Sequence, residues 1–144
     1  MSDAIKLLET DHRQVEDLFA KVNSTSGAAK AQVVSKICRE LTVHAEVEEQ
    51  IMYPAMREAG LADIVSEAEL AHRKVKDLVA RLEGMDGASH DVDSLVSELK
   101  RDVVHHVQEE EGTAFPSFRD AVDPSELEVL GNQLEEAKER AGAS

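Results

Sequence analysis

The chain has no Trp, a single Cys, three Pro and very few aromatic residues. Each shortage excludes something. Cys38 has no second thiol to pair with, so the fold closes without an internal disulfide, and a reducing compartment suits it. No Cys-X-X-Cys motif occurs, and Cys38 reads as a small buried apolar side chain. Basic residues are also short: 16 Lys and Arg stand against 30 Asp and Glu, a formal charge of −14. Nucleic-acid binders carry a basic patch or stripe, and anionic membrane surfaces demand the same, so neither is an expected partner. No apolar run approaches a membrane span. The first ten residues lack the basic and then apolar segments of a secretory signal, and a cytoplasmic location is expected.

What remains is a composition built for helix. Ala, Val, Leu, Glu and Lys dominate, and hydrophobic residues make up 42% of 144, enough for one well-formed core. Apolar residues recur at steps of three and four in five stretches. The first, capped by Ser2 or Asp3, carries Ile5, Leu8, His12, Val15, Phe19 and Val22 on one face. The turn cluster at 23–27 precedes a second helix with Val34, Ile37, Leu41, His44, Glu48, Ile51 and Ala55 inward. Pro54 is expected to kink that helix or begin its end, and Gly60 to stop it. A third stripe runs Leu61, Val65, Ala68, His72, Val75, Val79 and Leu82. A fourth, capped by Ser89 or Asp91, runs Val92, Leu95, Leu99, Val103, His106, Glu110 and Ala114. Asp123-Pro124 opens a short fifth helix that buries Leu127, Leu130, Leu134 and Ala137, and the last few residues are expected to fray.

The chain is internally duplicated. The segment from His12 to Val22 aligns with that from His72 to Leu82 at an offset of 60 residues. His44-Ala-Glu-Val-Glu48-Glu49, with Tyr53-Pro54 closing the stretch, aligns with His106-Val-Gln-Glu-Glu110-Glu111 and Phe115-Pro116 at an offset of 62. Two copies of a helical hairpin predict an all-α, up-down-up-down four-helix bundle over residues 1–122, with residues 123–144 forming a C-terminal helix packed on it and a frayed tail. Nothing points beyond a monomer or weak dimer.

Six polar residues interrupt the apolar stripes: His12, His44, Glu48, His72, His106 and Glu110. On a helix, positions i and i+4 share a face, so each His-xxx-Glu pair projects an imidazole beside a carboxylate. Two buried, unpaired carboxylates would cost several kcal/mol each. A pair of metal ions resolves this, each taking two His, with Glu48 and Glu110 bridging. Imidazole with carboxylate suits iron first and manganese second, whereas calcium and magnesium prefer all-oxygen shells and structural zinc favours Cys. Unfilled coordination positions imply a small exogenous ligand such as hydrogen peroxide, dioxygen or nitric oxide.

These motifs resemble the hemerythrin-like (HHE cation-binding) family, from about Ile5 to Arg119. The resemblance implies a non-haem di-iron centre with an oxo or hydroxo bridge, in proteins that bind dioxygen reversibly, sense oxygen, iron or nitric oxide, or act on peroxide. The oxygen carriers of the family have a fifth His where this chain has Lys76, and an Asp five residues after the last His where this chain has Glu110 at four. A more symmetric and more open centre is therefore expected here. Peroxide decomposition, a catalase-like detoxification, is the leading expectation. Reversible dioxygen or nitric oxide binding without catalysis is the alternative. Tyr53, matched by Phe115 in the other repeat, either packs as an aromatic plug, ligates iron as a phenolate or donates a hydrogen bond to a bound oxygen species. Glu16 and Lys76, each one turn past a ligand His, are candidates to support the ligands. Glu49 and Glu111, about 100° round from the ligand face, are expected to face solvent. His90 and His105 are expected to lie at or near the surface.

Overall fold

The computed structural model describes residues 3–142; Ser2, an expected capping residue, and the last two residues of the tail lie outside the described residues. The helices are α1 (Ala4–Val22), α2 (Gly27–Val47), α3 (Tyr53–Glu58), α4 (Ala62–Glu83), α5 (Val92–Glu109), α6 (Phe115–Ala121) and α7 (Pro124–Arg140). A five-residue π-helical turn joins α2 to α3 at Glu48–Met52, and a second joins α5 to α6 at Glu110–Ala114. Each repeat is thus one straight helix followed by one interrupted helix. The four make an up-down-up-down bundle, with α1 against α2, α4 against α5, and α2 against α4. Helix α7, 17 residues and not short, lies across α1, α2 and the first π turn. Among the described residues no helix is long and apolar enough to cross a membrane.

The local signals act where their chemistry puts them. Asp3 caps α1, its Oδ1 accepting from the Lys6 backbone N–H at 2.8 Å. The Arg119 guanidinium reaches its other oxygen at 3.2 Å and ties α6 to the start of α1. Gly60 ends α3 at φ +91°, a conformation that favours Gly. The N–H groups of Gly60 and Leu61 return to the carbonyls of Arg57 and Met56, a Schellman closure.

The two prolines do something other than end their helices. Pro54 and Pro116 fall in the first turns of α3 and α6, immediately after the π turns. A missing donor there leaves no broken α-helical bond. The extra residue in each π turn also shifts the inward register. In the second helix the expected Ile51 and Ala55 are only half-buried, and Met52, Tyr53 and Met56 are the buried residues. In α5, well before its π turn, Val96 is buried and the expected Leu95 is only half-buried against the same core.

The apolar interior is split in two. One core gathers Leu8, Val47, Met52, Met56, Phe115, Phe118 and the buried face of α7. The other gathers Phe19, Ile37, Cys38, Leu41, Leu78, Leu99 and Val103. Cys38 is buried there as expected, and burial, with Glu83 adding to it, pushes its thiol up to about 11. His12, His44, His72 and His106, with Glu48 and Glu110, occupy the layer between the two cores.

Removing the α1 cap should lower stability. Partial burial works to raise the Asp3 carboxyl, but the Lys6 N–H and Arg119 outweigh it and hold it below its ordinary value. Its contribution is therefore present above the unfolded carboxyl range and lost as pH falls through the depressed folded value. Asp3→Ala should cost about 1 kcal/mol at neutral pH, measured by urea unfolding. The gap to the wild type should shrink below about pH 4.

Candidate metal centre

The central layer is built from one His per bundle helix and one Glu from the start of each π turn. Glu48 is 0% and Glu110 2% exposed, and all four His are buried. The imidazoles turn Nε2 inward. His44 Nε2 lies 2.9 Å and His72 Nε2 3.2 Å from Glu48 Oε1. His12 Nε2 lies 3.2 Å from Glu110 Oε1, and His106 Nε2 3.4 Å from Glu110 Oε2. Yet His12 Nε2, His44 Nε2, both Glu48 oxygens and Glu110 Oε1 have no hydrogen-bond partner. The atoms are close but not aligned with one another; they converge on shared space, as ligands of a cation do.

Two overlapping groups could each hold a metal ion: Glu48, His72, His106 and Glu110, and His12, His44 and Glu110. Glu110 belongs to both. The donor set is imidazole and carboxylate only, and Cys38 sits in the separate lower core. All six inward polar residues read from the sequence fall in this layer.

Behind three of the imidazoles stands a carboxylate, and behind each carboxylate a cation. His12 Nδ1 donates to Glu111 Oε2 at 2.7 Å, and Arg13 clasps both Glu111 oxygens at 2.6 and 2.8 Å. His72 Nδ1 donates to Glu49 Oε2 at 2.7 Å, and Lys76 meets Glu49 Oε1 at 2.7 Å. His44 Nδ1 donates to Asp11 Oδ2 at 3.2 Å, and Lys138 from α7 pairs with the other Asp11 oxygen. A carboxylate on Nδ1 fixes the tautomer that presents the Nε2 lone pair and raises ligand basicity. The expectation that Glu49 and Glu111 face solvent is therefore corrected. A residue 100° from the core stripe of a bundle helix points at the neighbouring helix, and both are only about a quarter exposed. Their recurrence in both repeats was the available signal. Asp11 and Lys138 were missed, because Asp11 has no counterpart in the second repeat and Lys138 comes from outside both. Lys76 supports His72 through Glu49. Glu16 is exposed and only approaches Arg13, at 3.6 Å. His90 and His105 are surface residues.

Tyr53 is buried and enters the layer. Its hydroxyl donates to Glu110 Oε2 at 2.8 Å and stands 3.0 Å from His72 Nε2. Burial, reinforced by Glu48 and Glu110, pushes the phenol well above its ordinary range. Phe115, its repeat counterpart, stacks on His12 with ring centroids 6.1 Å apart.

The sequence matches the family model described as Hemerythrin HHE cation binding domain over residues 3–118, and again, one repeat later, over 63–143. The chain belongs to the hemerythrin HHE cation-binding domain family. Its fold is similar to the crystal structure of a hemerythrin HHE cation binding domain-containing protein from Mycobacterium kansasii, with a TM-score of 0.86 over 98% of this chain and 88% of that one, at 22% identity. It is also 25% identical over 135 residues to a DNA nickase of Nostoc sp.; that alignment covers 93% of this chain but only 38% of the relative.

Among protein groups alone, burial works to lower the pKa values of His12, His44 and His72, but nearby carboxylates outweigh it and raise all three. Burial likewise works to raise Glu110, but His106 leads the groups that hold it well below the carboxylate range. The protonated imidazoles thus stabilise the apoprotein below the unfolded His value, and that stability is lost as pH rises through the higher folded values. Metal must displace the same protons. The melting-temperature gap between metal-loaded and apoprotein should therefore widen from about pH 6 to about pH 8, measured calorimetrically. A second expectation concerns the carboxylates on Nδ1. Glu49→Gln and Glu111→Gln should each weaken metal binding by about 10–100-fold, measured by competition with a chelator.

Proposed function

We propose that this HHE-domain chain is a non-haem di-iron protein that reacts with small oxygen species, hydrogen peroxide foremost. The observation that carries the reading is the pair of buried ligand groups sharing Glu110, with no fifth His beside them. His12 and His44 with Glu110, and His72 and His106 with Glu48 and Glu110, would hold the two ions, and so few chain donors would leave coordination positions open for a small ligand. Position 76, where a further imidazole would add a nitrogen, is a Lys engaged with Glu49. Two irons bound there would supply a reversible two-electron change and open positions for a small ligand.

The chain supplies the rest. The Nδ1 carboxylates hold three imidazoles in one tautomer and orientation. The two apolar cores close the layer from above and below, leaving the His106 side as its opening. Tyr53 aims a buried hydroxyl into the layer, and its position at Glu110 Oε2 suits a proton donor to a ligand on the open side, with the phenol kept protonated. That role is preferred to phenolate ligation because the hydroxyl proton is already committed to a carboxylate.

A separate observation favours reversible gas binding as the second reading. A cavity of about 30 Å³ lies beneath the four His, walled by Val15, Leu41, Val75, Val103 and Val107. A largely apolar cavity of that size suits a diatomic such as dioxygen or nitric oxide. DNA nicking is not carried over from the longer Nostoc relative, because a chain of charge −14 has little to offer a phosphate backbone.

Iron-loaded protein should release oxygen from hydrogen peroxide faster than an equal concentration of free iron, followed with an oxygen electrode. Tyr53→Phe should cut that rate at least tenfold while leaving iron content unchanged. A stable oxy or nitrosyl spectrum without peroxide turnover would favour the gas-binding reading instead.

A further inference from the structure

The duplicated halves differ at one place that opens the centre to the outside. In the first half Asp11 holds His44, and Lys138 of α7 closes over Asp11. Its repeat counterpart is Ala71, which carries no carboxylate for His106. Among the described residues no helix covers this side as α7 covers the other. A cavity of about 210 Å³ lies there, lined by Ala71, Ala68 and Ile64 of α4 and by His105, Glu109 and Glu110 on the facing helix, with His106 and Glu67 also on its wall. A single water needs about 10–15 Å³ of such space, so a hydrated ion fits.

The chemistry of the lining selects what passes. Three carboxylates and two imidazoles face the cavity, and no Lys or Arg does. Glu67 and Glu109 are exposed, and His105 and Glu109 repeat, one residue earlier, the His-xxx-Glu spacing of His106 and Glu110. At the inner end, Glu110 is 2% exposed, and its Oε2 lies 3.4 Å from His106 Nε2 and accepts from Tyr53. An adjoining surface depression continues the groove past Asp102, with Lys74 at its edge. Negative charge thus meets an incoming cation first at an exposed acidic rim and then at the buried Glu110 carboxylate beside His106.

We propose that this cavity is the route by which divalent metal ions enter the centre, with Glu67 and Glu109 receiving the hydrated ion and His106 and Glu110 taking it from them. The proposal rests on the metal-centre reading above. It makes the His106 side the exchangeable side and the His12–His44 side, closed by Asp11 and α7, the retained one. An acidic rim acts on the rate of encounter, by as much as 10–1,000-fold, and leaves the equilibrium of the filled site unchanged.

The test is stopped-flow uptake of cobalt(II) by the apoprotein under anaerobic conditions, read from the visible absorption of the bound ion. In the double variant Glu67→Gln/Glu109→Gln, uptake should slow about tenfold at low salt, with final stoichiometry and affinity as in the wild type. A control, Glu135→Gln/Glu136→Gln, removes the same charge from the exposed face of α7 and should leave the rate unchanged. Ala71→Leu, which narrows the cavity without altering charge, should also slow uptake. An unchanged rate in the Glu67/Glu109 variant, an equal slowing in the control, or a loss of affinity matching the loss of rate would overturn the route. Failure of the wild-type apoprotein to bind cobalt at all would instead remove the metal centre on which the route depends.

Discussion

Glu48 and Glu110 are buried at the level where the two apolar cores of the bundle part, and they place their oxygens within about 3 Å of imidazole nitrogens without aligning to hydrogen-bond them. A carboxylate in such a position costs several kcal/mol unless something pairs with it. The surrounding structure answers that constraint. One imidazole per helix converges on the pair. Each π turn begins at the buried Glu, and the extra residue it inserts turns Tyr53 and Phe115 towards the same layer. The prolines that follow sit where a lost donor breaks no α-helical bond.

The outer ring makes the centre polarised as well as charged. Three imidazoles lean on carboxylates that lean in turn on Arg13, Lys76 and Lys138, so surface cations are linked to the buried layer through two hydrogen bonds. The fourth, His106, has no such carboxylate and faces the open cavity. The two repeats, nearly alike in their inner donors, therefore offer unequal surroundings to the two ligand groups. One is closed by α7 and backed by Asp11; the other is open, with Tyr53 beside it. The proposed reaction with small oxygen species and the proposed route of metal entry both draw on this inequality.

Much of this was legible in the residues. Helical periodicity interrupted by His at one position per helix, and by Glu twice, placed six side chains in one layer, and the duplication made the bundle the economical fold. Three features were hidden. Steps of three and four assume 100° per residue throughout, so Ile51 and Ala55 seemed inward until the π turn moved Met52 and Met56 there. The same wheel sent Glu49 and Glu111 to solvent, although the neighbouring helix occupies that direction. Asp11 and Lys138 meet across 127 residues, a pairing that no local pattern encodes. The fold and the inner donors thus follow from period, and the supporting contacts follow from how the helices are packed.

The central claim is that Glu110 serves two metal ions at once. Metal analysis after anaerobic iron(II) loading and removal of excess metal tests it directly. Two irons per chain in the wild type, falling below one in Glu110→Ala while the variant remains helical by circular dichroism, is the predicted result. One iron in the wild type, or two retained by the variant, would contradict the shared centre.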